Sequence, residues 1–254
     1  MSKFLLKVLS VTHWTNTLFS FQIERPKDFK FKSGEFVMIG LPNSDKPILR
    51  AYSICSPSWS EELEFYSIIV KDGPLTSKLK NIKIGDEIIM MPKSTGTLVL
   101  DALKPGKRLF LLSSGTGFAP FAALIREPET YEKFESVIIT HTCRMIAELS
   151  YSKSIIQECM NDELIKEFIN YKLLSYHSTT REDYIFNGRI TELISSSKLF
   201  NDLKINSISS DDRFMFCGSM GLNNDLKKIM IENNFHEGAN NYPGEFVLEK
   251  AFVD

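Results

Sequence analysis

The chain has 254 residues, enough for one large domain or two ordinary ones, and its 43% hydrophobic and 24% charged residues are typical of a soluble globular protein. The net charge of −2 gives no basic field of the kind that favours nucleic acid. An apolar run of about eighteen residues, which a transmembrane helix needs, is absent. Four widely spaced cysteines without a C-x-x-C pair argue against zinc, an iron–sulfur cluster and a disulfide framework. We therefore expect a cytoplasmic protein without a metal site.

The first part of the chain contains short strand-like segments separated by turn residues. The segments predicted as strands are 5–11, 18–23, 31–39 (a turn and then a strand), 50–55, 63–70 and 88–91. One short helix is expected over 75–79. Several short strands at this spacing predict an antiparallel β-barrel.

The pattern changes after the turn at 104–106, where strand and helix candidates alternate. The predicted strands are 109–113, 137–141, 172–177, 213–217 and 245–248, and the predicted helices are 120–126, 152–160, 162–170, 190–197 and 222–233. Alternation of this kind predicts βαβ units and a parallel sheet. The fold is therefore expected to have two domains, an N-terminal antiparallel β-barrel over 1–101 and an α/β parallel-sheet domain over 102–254.

The segment 109–121 (LFLLSSGTGFAPF) combines a buried strand, a glycine turn and the start of a helix with Pro120 in its first turn. Such a turn places backbone N–H groups and a positive helix end at the carboxyl end of a strand, where phosphate binds. It lacks the Gly-Lys-Ser/Thr of a Walker A loop, and Pro120 departs from the Rossmann pattern G-x-G-x-x-G. A glycine-rich connection without function is the alternative.

Two further motifs lie in the predicted barrel. In Arg50-Ala-Tyr52-Ser53, the arginine can pair with a diphosphate, the tyrosine can stack on a flat ring, and the serine can offer its hydroxyl to a ring nitrogen. Half-buried strand residues without a ligand are the alternative. In Asp72-Gly-Pro-Leu-Thr76, the helix N–H groups and the threonine hydroxyl can receive phosphate, and a plain capped helix is the alternative.

The predicted α/β half carries Arg144, Arg181 and Arg189, which we expect at successive strand ends. Ligands bind at the carboxyl edge of a parallel sheet, and three arginines there suit a ligand with several phosphates. Cys217 ends a predicted strand in Cys-Gly-Ser, where its small side chain can lie against a nicotinamide or simply fill the core.

The order R-A-Y-S, D-G-P-L-T, S-G-T-G-F-A-P-F, T-R-E with N-G-R-I, C-G-S and a final E-K-A-F-V resembles the ferredoxin–NADP reductases, most closely the bacterial subclass I ferredoxin/flavodoxin–NADP reductases. The resemblance covers essentially the whole chain. It implies an FAD-binding barrel followed by an NADP-binding α/β domain. The implied enzyme passes a hydride between NADPH and FAD, and single electrons between FAD and a ferredoxin or flavodoxin.

The resemblance also implies residue roles. Arg50 would contact the FAD diphosphate, Tyr52 would stack on the isoalloxazine, Arg181 and Arg189 would surround the 2′-phosphate of NADP, and Phe252 would lie near the adenine of FAD. The implied cofactor-binding residues are Arg50, Ala51, Tyr52, Ser53, Gly73, Pro74, Leu75, Thr76, Thr116, Gly117, Arg144, Arg181, Arg189 and Phe252. The implied catalytic residues are Ser53, Cys217 and Ala251, where Ser53 would lie near flavin N5 and Ala251 would face the ring.

One segment departs from the family pattern, and one acidic residue makes the choice between NADPH and NADH less direct. The strand before Arg144 reads His141-Thr-Cys-Arg144, where relatives often carry H-G-V-R, so the backbone beside the arginine differs. Glu182 follows Arg181 and is the kind of residue that binds a ribose 2′-hydroxyl. NADPH is still expected over NADH because of the two arginines.

The implied partner is an acidic ferredoxin or flavodoxin that binds transiently to a monomer, steered by lysines and arginines at a salt-sensitive rate. We expect no nucleic-acid or membrane partner, and the direction of electron flow is open. An NAD(P)H-dependent flavin reductase or the reductase component of an oxygenase would share the cofactor motifs, although the A-F-V ending favours the ferredoxin reductase. A nucleotide-sensing module without turnover is the alternative from another class. A barrel that binds single-stranded nucleic acid is disfavoured by the balanced charge.

Overall fold

A computed structural model of the protein describes residues 3–42 and 47–251. Within these ranges the chain forms two sheets that follow each other along the sequence. The strands of the first sheet are β1 (Phe4–His13), β2 (Leu18–Glu24), β3 (Phe36–Gly40), β4 (Leu49–Ser53), β5 (Glu62–Ile68) and β6 (Glu87–Thr95). The strands of the second are β7 (Arg108–Ser114), β8 (Ser136–Cys143), β9 (Leu173–Thr179), β10 (Asp212–Gly218) and β11 (Phe246–Lys250).

The first sheet is antiparallel and has the strand order β4-β3-β6-β1-β2-β5. A bridge between Ile54 and Phe65 joins its two outer strands, so that the sheet curls into a barrel. The barrel interior contains apolar side chains that alternate along the strands, among them Phe19, Phe21 and Ile39. The antiparallel barrel expected from the sequence is therefore confirmed.

The second sheet is parallel and has the order β11-β10-β7-β8-β9. Its central strands are buried on both faces, as the apolar run 109–112 predicts. The chain passes from β7 outward to β9 and then returns to the other side of β7 as β10. The strand order therefore reverses between β7 and β10, which is where ligands bind in open parallel sheets.

The helices are short apart from two. Those of the described residues are α1 (Thr76–Leu79), α2 (Ala119–Leu124), α3 (Pro128–Lys133), α4 (Ser150–Asn161), α5 (Lys166–Ile169), α6 (Ile190–Ser195), α7 (Lys198–Leu203) and α8 (Met220–Glu232). Three 3₁₀ turns lie at Leu100–Ala102, Gly115–Phe118 and Ile146–Leu149. The alternation expected for the second half is confirmed.

The sequence prediction was wrong for part of this helical structure. The helix expected over 162–170 is reduced to the single turn of α5, because the segment before it forms a bend in which Asp162 Oδ1 accepts from the Leu164 N–H at 2.8 Å. Helices α3 and α7 were not predicted, because helices of six residues carry too little apolar periodicity to be recognised. The boundary near residue 101 stays a prediction, and residues 100–102 lie between the two sheets.

A buried ion pair joins the two sheets. Arg126, which follows α2, contacts Glu64 of β5 with 3.0 Å between Nη2 and Oε2, and it also donates to the Cys55 carbonyl at 2.7 Å. Tyr151 of α4 donates to the other Glu64 oxygen at 3.1 Å. Glu64 of the first half thus accepts hydrogen bonds from the second half, and Arg126 of the second half donates to the first. These contacts connect the two sheets across the space between them.

Candidate functional site

A cavity of about 760 Å³ lies between the two sheets. Its wall contains residues from both motifs singled out in the barrel and from three of those in the parallel half, which are the glycine loop, Cys-Gly-Ser and E-K-A-F-V. The predicted residues that line it are Arg50, Ala51, Tyr52, Ser53, Gly73, Pro74, Leu75, Thr76, Thr116, Cys217 and Ala251. Segments far apart in sequence therefore meet in one place.

Strand β4 supplies one wall of this cavity. The ring of Tyr52 is fixed from behind by edge-on contacts with Phe21 and Phe65, with ring centroids 6.5 and 6.3 Å away. Its hydroxyl lies 3.0 Å from Ser67 Oγ, and burial raises the pKa of Tyr52. Arg50 is exposed at the same wall and donates to the Leu49 carbonyl at 2.9 Å. The tyrosine is thus rigid before any ligand arrives.

The segment 72–76 forms a second wall. Thr76 Oγ1 accepts the Val70 N–H at 3.2 Å, which closes the loop that precedes α1. Helix α1 has only four residues, so its macrodipole is small and anion binding here depends on individual N–H and hydroxyl groups. The short helix expected over 75–79 is present as α1, one residue shorter than expected, and its role in binding phosphate stays a prediction.

The glycine loop lies at the point where the strand order reverses. Gly115 has a left-handed φ of +54°, and Gly117 packs so closely on β10 that a Cβ would overlap the Cys217 carbonyl. Thr116 stands between them, is 8% exposed and lines the cavity. The loop is a 3₁₀ turn that continues into α2, with Pro120 in the first turn as expected.

The chain end forms the fourth wall. Cys217 is buried, and burial raises the pKa of its thiol well above the ordinary value, so that it is a neutral thiol in this environment. Ala251 follows β11, donates its N–H to the Gly218 carbonyl at 3.0 Å and faces the same cavity. Phe252, the residue expected near the adenine, lies outside the described residues.

The three arginines expected to bind phosphate, Arg144, Arg181 and Arg189, do not line the cavity. Arg144 and Arg181 are neighbours, because the Arg181 N–H donates to the Arg144 carbonyl at 3.0 Å. All three, including Arg189, are exposed, and within residues 3–42 and 47–251 none forms an ion pair. They form an open set of cations at the carboxyl edge of β8 and β9.

One part of that expectation is corrected. Arg189 does not follow a third strand but is the residue before α6. The loop that carries it folds back onto the end of β9, where the Gly188 N–H donates to the Thr179 carbonyl at 2.9 Å. Two strand ends therefore carry the three arginines.

The ambiguous Glu182 has a partner inside the protein. Its Oε2 accepts the Ile146 N–H at 2.6 Å, at the start of the 3₁₀ turn Ile146–Leu149. A carboxylate engaged in this way is a weak candidate for binding a ribose hydroxyl. This contact favours the expectation of NADPH over NADH.

Sequence reasoning missed residues that complete the cavity. Glu249 lines it beside Thr97, whose N–H and hydroxyl both donate to Oε1, the hydroxyl at 3.2 Å. Burial raises the pKa of Glu249. Tyr66 also lines the cavity, and its ring stacks on Tyr151 with centroids 4.1 Å apart. The available signal was the acidic residue two positions before Ala251 in E-K-A-F-V.

The residues that line the cavity fit a flavin nucleotide. It offers a rigid aromatic ring, an exposed guanidinium and a threonine-capped loop on adjacent walls. Among the described residues, no partner satisfies the hydroxyls of Ser53 and Thr116, which both line the cavity. These features are those of a ligand pocket, which is mostly apolar with a few polar groups.

No helix among the described residues is both long and apolar enough to cross a membrane. Over the same parts of the chain, no cluster of three or more histidine, cysteine, aspartate or glutamate side chains could hold a metal ion.

Comparison with known proteins gives consistent matches. Residues 4–107 match the oxidoreductase FAD-binding domain family. A flavodoxin/ferredoxin–NADP reductase from Rhodobacter capsulatus is 56% identical over 248 residues, which cover 97% of this chain and 92% of that protein. A ferredoxin–NADP reductase from Pseudomonas aeruginosa is 45% identical and covers 98% of this chain and 97% of its own length. The crystal structure of a ferredoxin NADP⁺ reductase from Neisseria gonorrhoeae with bound FAD and NADP superposes with a TM-score of 0.89 at 26% identity, over 98% of this chain and 99% of that one.

Proposed function

Because the chain belongs to the flavodoxin/ferredoxin–NADP reductase family, we propose that the cavity between its two sheets is where electrons pass between NADPH and a ferredoxin or flavodoxin. The family, the two-domain fold and the dependence on FAD and NADP expected from the sequence are confirmed. The observation that supports this place for the chemistry is the convergence of five separate motifs on one cavity.

The barrel half holds FAD. Arg50 pairs with the diphosphate, and the loop 73–76 receives the same group through its N–H groups and the Thr76 hydroxyl. Tyr52, which is fixed by Phe21, Phe65 and Ser67, presents its ring to the isoalloxazine. Ser53 offers the ring its hydroxyl, which has no partner among the described residues. The adenine contact assigned to Phe252 completes this set.

The parallel half holds NADP(H). Arg144, Arg181 and Arg189 bind its phosphates, with the last two at the 2′-phosphate, because they are exposed and unpaired within the described residues. Thr116 and Gly117 place the nicotinamide beside the flavin, and Cys217 packs against it as a neutral thiol. Ala251 leaves the opposite ring face open to the nicotinamide because its side chain is a single methyl group.

Bound FAD supplies a centre that exchanges a hydride with NADP(H) and single electrons with the partner. The protein contributes orientation and exclusion of water. Ser53, Cys217 and Ala251 are the residues we place against the reacting atoms. The domains that bring the two cofactors together are residues 1–101 and 102–254.

The partner is an acidic carrier protein that binds transiently to a monomer of this chain in the cytoplasm. Lys250 is exposed at the cavity wall and carries positive charge of the kind that attracts an acidic carrier. We expect the rate constant of electron transfer to fall steeply with ionic strength. A rate independent of salt would contradict electrostatic docking at this edge.

The test is an absorption spectrum of the purified holoprotein before and after anaerobic addition of NADPH. We expect flavin bands that bleach with NADPH and recover on addition of oxidised ferredoxin or flavodoxin. Free flavin serves as a control acceptor, since rapid turnover with it and none with the carriers would identify a flavin reductase instead. A protein that stays colourless after incubation with FAD would contradict the flavin site.

A further inference from the structure

A chain of buried polar side chains runs from strand β9 to the glycine loop. His177 Nε2 lies 3.0 Å from Ser152 Oγ, which lies 2.7 Å from His141 Nδ1, and His141 Nε2 lies 2.8 Å from the Gly115 carbonyl. His141 and Ser152 are 1% and 0% exposed. None of these side chains lines the cavity, whereas Thr116 of the glycine loop does. Any effect of the histidines on the cavity must therefore pass through this loop.

The direction of each hydrogen bond follows from its end point. A carbonyl oxygen can only accept, so His141 Nε2 carries a proton and donates it to Gly115. His141 Nδ1 then accepts from the Ser152 hydroxyl, and the serine oxygen accepts from His177 Nε2. Burial lowers the pKa of His141 to about 3 and that of His177 to about 4, so both rings are neutral at physiological pH.

Two neighbours compete for these protons and do not change the assignment. Cys143 Sγ lies 3.2 Å from His141 Nε2, but burial raises the pKa of this thiol to about 12, and a neutral sulfur is a weak acceptor beside a carbonyl. The Leu149 carbonyl lies 3.0 Å from Ser152 Oγ, farther than His141 Nδ1. The chain therefore ends in one defined donor aimed at Gly115.

This donor acts at the one glycine of the loop that has open space beside it, Gly115. Gly115 has a left-handed φ, and the space where its Cβ would stand contains no heavy atom within 4 Å. Gly117, two residues on, is fixed by close packing on Cys217. Thr116 thus lies between Gly117, which is closely packed, and Gly115, whose carbonyl accepts a hydrogen bond from His141.

We propose that His141 is a positioning residue, which holds the Gly115 carbonyl and so fixes Thr116 at the place where nicotinamide meets flavin. This proposal rests on the proposed function. It assigns a task to the first residue of the unusual sequence His141-Thr-Cys-Arg144. The same strand therefore serves both ends of the nucleotide, through the loop at one end and Arg144 at the other.

The test is a matched pair of amide variants in the FAD-loaded protein. In His141→Gln the side-chain amide reaches about as far as Nε2 and can still donate to Gly115. In His141→Asn the shorter amide keeps the contact with Ser152 but cannot reach the loop. We expect the asparagine variant to lower the rate constant of flavin reduction at saturating NADPH by tenfold or more, and the glutamine variant to stay within threefold of the unchanged protein.

Two readouts separate positioning from general damage. Hydrogen exchange of the peptide spanning 113–118 is expected to be at least tenfold faster in His141→Asn than in His141→Gln. The dissociation constant of 2′,5′-ADP, which lacks the nicotinamide, is expected to be equal in both, because the arginines are untouched. His177→Gln, which alters the far end of the chain, serves as the control and should behave as the unchanged protein.

The proposal would be overturned if both amide variants reduced flavin at the same rate, or if exchange over 113–118 did not differ between them. Equal loss of folding in both variants, seen as equal falls in melting temperature, would also overturn it, since the histidine would then be a general core residue. Failure of the unchanged protein to be reduced by NADPH would instead reject the proposed function.

Discussion

The two halves of the molecule build their parts of the site differently. In the antiparallel half, Tyr52 and Thr76 are held by protein neighbours, so their side chains are in place without a ligand. In the parallel half, Arg181 and Arg189 are exposed and, within the described residues, form no ion pair. The first half therefore contains a preformed pocket, whereas the second contains exposed arginine side chains that a bound phosphate would hold in place. Changes at Tyr52 and Thr76 should therefore alter flavin retention, and changes at Arg181 and Arg189 should alter nucleotide affinity.

Removing the ion pair between Arg126 and Glu64 tests how strongly the two halves stabilise each other. Arg126→Met leaves Glu64 without its cation in a buried place, and we expect the free energy of unfolding to fall by about 3–5 kcal/mol in urea denaturation. Adding Glu64→Gln should recover part of the loss, because it removes the uncompensated charge. A loss of about 1 kcal/mol or less, as for an exposed pair, would show that this contact does not hold the sheets together.

Removing the open cations tests the parallel half. For Arg181→Ala combined with Arg189→Ala, we expect the Michaelis constant for NADPH to rise by about a hundredfold or more, since each hydrogen bond to a charged group contributes about 1.5–3 kcal/mol. The constant for NADH and the free energy of unfolding should change little. Lys228→Ala on α8 is the control for loss of an exposed cation. Equal effects on both nucleotides would reject the 2′-phosphate assignment.

Acid should destabilise the parallel half through its buried histidines. Because His141 and His177 have lowered pKa values of about 3 and 4, the unfolded chain binds more protons than the folded one below pH 6.5. The free energy of unfolding should fall as pH decreases from 6.5 to 4, by up to about 1.4 kcal/mol per pH unit for each group. Urea denaturation at each pH measures this slope. His177→Gln should make it shallower, and an unchanged slope would contradict the assignment.

The smallest effect concerns the preformed pocket. Tyr52→Ala removes the ring that we place against the isoalloxazine, and we expect the dissociation constant of FAD to rise about tenfold. Tyr52→Phe keeps the ring and loses only the Ser67 contact, so it should retain flavin nearly as well. Equilibrium dialysis measures both. Unchanged affinity in the alanine variant would mean that the ring stacks elsewhere.

The strands and the motif residues could be predicted because their signals are local. The apolar run 109–112 and the alternation in the barrel indicate buried strands without reference to the rest of the chain. The six-residue helices α3 and α7 could not be found, since their stability comes from packing on other elements.

The same distinction applies within the site. Arg50, Tyr52 and Thr116 stand in recognisable motifs, and the structure places all three on one cavity. The contact of Glu249 with Thr97 joins residues 152 positions apart and has no local pattern. Pairing over such a distance depends on how two sheets pack, which composition and periodicity do not encode.

That contact has a consequence for biosynthesis. Strand β11 is made after the other strands of the described residues, yet Glu249 and Ala251 supply a wall of the cavity. During translation the barrel emerges first and can fold early, since domains generally fold as units from the N-terminal side. Its pocket nevertheless lacks the side that Glu249 and Ala251 supply until β11 has joined the second sheet. We therefore expect a barrel without β11 to retain flavin less tightly than the full chain does.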